Sequence, residues 1–133
     1  MNSTISRVPD LLRRFVATPH SAVFCIGNDH VRLETNDLSL ADTIRNATVC
    51  RVKSNAQEHS EWKLIRDNQA PCDGKDINIL SAGAIGTILL GTGTIIVVDR
   101  ERREVFGFIA PDISRDEMAS TVLPLILDLL DSR

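Results

Sequence analysis

Between Asp76 and Asp99 the chain carries no charged residue; the stretch reads INILSAGAIGTILLGTGTIIVV, from Ile77 to Val98. Every other segment is more polar, so whatever core the protein has must be built on this one. Roughly 20 apolar residues cross a bilayer, so a membrane helix and a buried helix are the alternatives to strands. Gly83, Gly86, Gly91 and Gly93 divide the stretch into runs of strand length. Gly91-Thr92-Gly93-Thr94 is poor helix and good turn chemistry. The runs are β-branched (Ile85, Thr87, Ile88; Thr94 to Val98), which favours extended chain packed on both faces. We read two buried strands joined at the Gly-Thr-Gly turn, and expect no membrane association.

At 133 residues the chain is long enough for one domain with a real core. We therefore treat residues 1–133 as a single α+β domain. A net charge of −3 argues against a general nucleic-acid or anionic-membrane binder. With 4% aromatic residues and no Tyr, base-stacking platforms are hard to build. Cys25, Cys50 and Cys72 are an odd, widely spaced set without CxxC, which fits buried thiols in a reducing cytoplasm. The start, MNSTISRVPDLL, lacks the apolar core of a signal peptide.

Pro9 can open a short amphipathic helix carrying Leu11, Leu12, Phe15 and Val16, ended by Thr18-Pro19. Ala22 to Ile26 and Val31 to Thr35 flank Gly27-Asn28-Asp29 and predict a hairpin. Asn36 or Asp37 can cap a helix with Leu38, Ala41 and Ile44 as its stripe, over by Asn46. Val49 to Lys53 and Glu61 to Arg66 read as strands, and Asn68 to Asp76 as a loop punctuated by Pro71 and Gly74. The charged run Asp99 to Glu104 predicts a solvated hairpin tip between Thr94–Val98 and Val105–Ile109. Ser114-Arg115-Asp116-Glu117 matches the capping box of a helix that runs to about Asp131, with Pro124 expected to kink it near Ser120.

No motif for chemistry emerges. Gly83-x-x-Gly86 and Gly91-x-Gly93 lack the spacing and the Lys of a phosphate loop, so turns or bulges explain them better. His20, His30 and His59 are far apart in sequence and form no metal-ligand spacing. Cys25 lies in the strand-like run AVFCI near His20, where a buried thiol is the simpler reading than a nucleophile. Asp99, Asp112, Asp116 and Glu117 fit turns and caps. We expect no catalytic, cofactor or metal residues.

Two stretches carry a family resemblance. VRLETNDLSLADTI, Val31 to Ile44, is an extended run followed by Thr-Asn-Asp and a short helix. GTGTIIVVDRERREVFGFIAPDISRDEMASTVLPLILDLL, Gly91 to Leu130, is a hairpin through a charged turn followed by an apolar helix. In this order they resemble the segment preceding the nucleotide-binding domain of bacterial HPr kinase/phosphorylase-like proteins. In those proteins the equivalent helix leads into a His-Ala-Ala strand and a phosphate-binding loop. The chain stops at Arg133, where such a domain would begin, so no catalytic residue carries over. The resemblance implies an accessory or regulatory domain, met through the helix Met118 to Leu130 by another domain or a second copy.

The expected fold is α+β: a mainly antiparallel, twisted sheet of six to seven strands with helices packed on it. The expected core is Val31, Leu33, Val52, Trp62, Leu64, Ile79, Ile88, Leu90, Ile96, Val98, Phe106, Phe108, Met118, Val122 and Leu125. Apolar residues from Leu123 to Leu130 exceed the roughly 100° stripe that one sheet needs. Leu123, Leu127 and Leu130 are therefore the expected interaction surface, outside a core stripe of Val122, Leu125 and Leu129. The expected function is a non-enzymatic interaction module that works as a homo-oligomer or on a partner protein domain. The alternative is a small-molecule site or unrecognised enzyme at the Asn68–Gly74 loop and the Gly91–Gly93 turn, with Asp73, Gly74, Gly91 and Gly93 around the ligand.

Overall fold

The β-branched and alternating segments form strands β1 (His20–Ile26), β2 (Asp29–Thr35), β3 (Glu58–Arg66), β4 (Ile77–Ala82), β5 (Ile85–Leu90), β6 (Thr94–Asp99) and β7 (Glu104–Ile109). A helix, α1 (Leu38–Asn46), lies between β2 and β3. A second, α2, occupies 115–131. The structure is a computed structural model and describes residues 17–26, 29–47, 58–69, 74 and 76–131. The helix expected around Leu11 to Val16, the strand expected at Val49 to Lys53, Val52 of the expected core and most of the Asn68–Gly74 loop lie outside the described residues.

Among the described residues the strands make one sheet in the order β1-β2-β3-β7-β6-β5-β4. The fold is α+β, but the sheet is mixed rather than mainly antiparallel. β2 pairs parallel with β3, and β3 pairs parallel with β7. The first parallel pair follows from α1: a helix between two strands lets the chain return in the same direction, which a tight turn cannot do. The second arises because β4 to β7 run as an antiparallel meander that starts at the far edge and ends beside β3.

The uncharged stretch holds three strands, not two. Gly83, with φ of +60° at the first central position of a two-residue turn, reverses the chain between β4 and β5. Gly91, also at +60°, opens the turn between β5 and β6. Asp99 organises the charged tip between β6 and β7, where its carboxylate accepts the N–H groups of Glu101 and Arg102.

One face of the sheet is covered by α1 and α2, and the core lies between these layers. Val31, Leu33, Trp62, Leu64, Ile88, Ile96, Val98 and Ile109 point into it. The Trp62 indole N–H donates to Ser60 Oγ, whose hydroxyl donates to the Arg103 carbonyl. Of the two candidates, Asp37 caps α1 through its side chain, by accepting the Ser39 N–H at 2.9 Å. The Ser114–Glu117 capping box is present at the start of α2.

Pro124 acts differently from a simple kink. It has no N–H and its ring crowds the carbonyl four residues back, that of Ser120. The turn before it widens into a π-helix over Met118–Val122, closed by the Leu123 N–H on the Met118 carbonyl. With the turn so widened, Met118, Val122 and Leu123 are all buried. Ordinary α-helix follows over Leu123–Asp131, with Ile126, Leu129 and Leu130 buried.

Candidate functional site

The C-terminal helix does not offer the surface its sequence suggests. Leu123 and Leu130 are 0% and 2% exposed, buried in the chain's own core, and Leu127 is half-buried against it. The widened turn is the reason: it moves the apolar phase of the helix, so that a broader arc meets the sheet. Leu129, expected in the core, lies over Gly86, where an added Cβ would stand 2.9 Å from its Cδ2. Leu125 is only partly buried. Arg103 ties the end of the helix to the sheet by donating to the Leu130 carbonyl at 3.1 Å.

The largest group of exposed apolar side chains among the described residues lies elsewhere, at the far edge of the sheet. Among the described residues β4 is the last strand of the sheet, with β5 as its one neighbour, and each of its six residues is exposed. Ile77 and Ile79 point to the helix side at 45% and 46% exposure. Ile79 is thus a surface residue, contrary to its expected place in the core, because α2 packs on β5 and β6 and leaves β4 uncovered. On the opposite face Leu80, at 58%, continues into Ile85 on β5 and Ile95 on β6. Phe106 and Phe108, also expected in the core, stand half-buried on that second face, their rings edge to face at 5.1 Å.

The second face changes character across the sheet. Towards β2 and β3 it carries Arg32, Glu34, Glu61 and Lys63, which with Glu104 line a groove of about 260 Å³. Arg32 faces Glu61 and Glu34 faces Lys63, while Glu61 faces Glu104, a mixture of signs as on a solvated face. Nearby, Cys25, His30 and His59 are register neighbours across β1, β2 and β3, with the two imidazole rings 6.0 Å apart. Among the described residues no group of three His, Cys, Asp or Glu side chains has the geometry to hold a metal ion.

The residues expected around a small ligand are partly brought together. The Gly91 N–H donates to the Asp76 carbonyl at 2.9 Å, which places the end of the 68–76 loop against the Gly91–Gly93 turn. That bond uses the backbone donor a ligand would need from Gly91. Gly74 has φ of +83° and stands in open space, and Asp73 lies outside the described residues. A larger groove, about 510 Å³, runs between α1 and the π-helical turn, lined by Asp42, Thr43, Asn46, Arg115 and Ser120 among others. The Thr43 hydroxyl is buried there without a hydrogen-bond partner.

A polar clamp that motif reading missed lies at the C-terminal end of β3, inside the sheet. Arg66, at the end of β3, donates from Nε to Asp37 Oδ2 at 3.0 Å and from Nη1 to the carbonyls of Ala110 and Ile113. The Asn36 side chain makes two bonds to the Arg66 backbone, accepting its N–H and donating to its carbonyl. Thr35 Oγ1 accepts the Asp37 N–H. The Thr35-Asn36-Asp37 run thus joins three segments, and its role is structural. The signal was its three consecutive hydrogen-bonding residues at a strand-to-helix junction. No helix among the described residues is long and apolar enough to cross a membrane. No protein-family model, curated protein or solved structure matches the chain.

Proposed function

We propose that the chain is a non-enzymatic interaction module whose contact surface is the β4 edge and the aliphatic strip beside it, in place of the helix leucines. One observation carries this reading: β4 is an uncharged strand at the sheet edge with all six residues exposed. Natural sheets protect such edges with charges, Pro or bulges, because an open row of N–H and C=O groups pairs with any compatible strand. Ile77 to Ala82 carries none of these devices. Burying a large aliphatic side chain is worth roughly 1.5–3 kcal/mol, so covering Ile77, Ile79 and Leu80 favours association. Strand addition at an exposed edge is an established mode of recognition. The accessory role implied by the HPr kinase/phosphorylase-like resemblance is of this kind.

The test is site-specific photocrosslinking of the full chain in its own cells. A photoreactive residue at Leu80 should give an adduct of higher mass, and the same residue at Asp128, on the exposed side of α2, should not. Ile79→Lys should abolish the Leu80 adduct. Absence of any Leu80 adduct would remove the reading.

A further inference from the structure

Resting on that reading, we infer that the occupant of the β4 edge is a second copy of this chain, paired antiparallel about a two-fold axis at Ile79. The two sheets then become one continuous sheet. The backbone sets up this arrangement. The Asp76 carbonyl accepts from Gly91 and so points into the sheet. By the alternation of antiparallel pairs, Ile77, Ile79 and Ser81 turn their N–H and C=O groups outward. With the axis at Ile79, that residue faces the partner's Ile79, and Ile77 faces the partner's Ser81. About six backbone hydrogen bonds close across the junction.

The two faces agree with the same axis. It stands perpendicular to the sheet, so like faces meet and both helical layers lie on one side. Ile77 and Ile79 of the two copies then fill the gap beside β4 that α2 leaves open. Cross-strand aliphatic pairs of this kind stabilise a sheet junction.

Charge selects a second copy over a foreign strand. Asp76 is exposed at the start of β4, and at its other end the Arg100 guanidinium is held on the Gly83 carbonyl. No charge lies between them on the strand. Antiparallel self-pairing brings Asp76 beside the partner's Ala82, next to the partner's Arg100, and symmetry makes this contact twice. Parallel pairing would instead set Asp76 near Asp76. The neighbouring Asp99 carboxylate is already engaged with the Glu101 and Arg102 N–H groups.

Sedimentation equilibrium of the full chain tests this. The wild type should be a dimer in the micromolar range, and Ile79→Lys a folded monomer with native circular dichroism. Asp76→Arg and Arg100→Asp should each weaken association roughly tenfold or more, and the double swap should regain most of it. A wild type still monomeric at about 100 μM, a dimer indifferent to Ile79→Lys, or a double swap no tighter than the singles would each overturn the inference. If the wild type is monomeric while Leu80 crosslinks to a different protein, self-pairing fails and the interaction module stands. If there is neither dimer nor crosslink, both fail.

Discussion

At Arg66 a single guanidinium serves one carboxylate and two carbonyls drawn from segments far apart in sequence. Its side chain is 12% exposed and that of Asp37 25%, so the pair is largely shielded from water. Removing one partner of such a group leaves the others without their donor, and that loss exceeds the net value of the bonds themselves. Arg66→Ala is expected to cost about 2–4 kcal/mol, read as a lower urea midpoint at unchanged m-value. Arg66→Lys should recover only part of this, because an ammonium cannot reproduce the planar fork that reaches Asp37 and both carbonyls.

Among the elements, α2 shows how backbone geometry redirects a side-chain pattern. Its leucines cover more of the circumference than a straight α-helix could bury on one sheet. The π-helical turn forced at Pro124 shifts the phase between Met118 and Leu123, and the wide arc becomes core. Leu123→Glu or Leu130→Glu should therefore unfold the domain, since each places a carboxylate in a site that is closed to water. Leu127→Glu, at a half-buried position, should be milder by several kcal/mol. Thermal melts of the three variants compare them directly. Equal losses in all three would mean that the helix has no protected and unprotected sides.

For the molecule as a whole, the sheet of the described residues has an interior and two edges, β1 and β4. Among the described residues β3 and β7 are flanked on both sides, while β4, the edge whose six residues are all exposed, has a neighbour on one side only. Amide exchange should follow that order. The outward N–H groups of Ile77, Ile79 and Ser81 should exchange fast in dilute protein and slow as concentration rises. The amides of β3 should be slow throughout. Exchange by mass spectrometry at two concentrations reads this, and outward β4 amides protected equally at both would contradict an edge that is open in the monomer.

Much of the fold was legible in residues close together in the chain. The antiparallel pairing of β1 with β2, the turn at 100–103, the cap at Asp37 and the capping box at Ser114–Glu117 each join segments close together in the chain. The division of Ile77–Val98 at glycines was legible too, although Gly83 proved to be a full turn and the number of strands rose to three. The order of strands was not legible. Ile77–Ala82, Ile85–Leu90 and Thr94–Val98 are alike in composition, and nothing within them says which will lie at the edge. That depends on β7 docking parallel to β3, which fixes one end of the meander and leaves β4 at the other. Helix phase was hidden for a similar reason, since a pattern of leucines assumes a constant turn and Pro124 changes it. The chain's local chemistry settles where it turns and caps. Which apolar residues meet water is settled by packing between distant segments, so the candidate surface moved from Leu123, Leu127 and Leu130 to Ile77, Ile79 and Leu80.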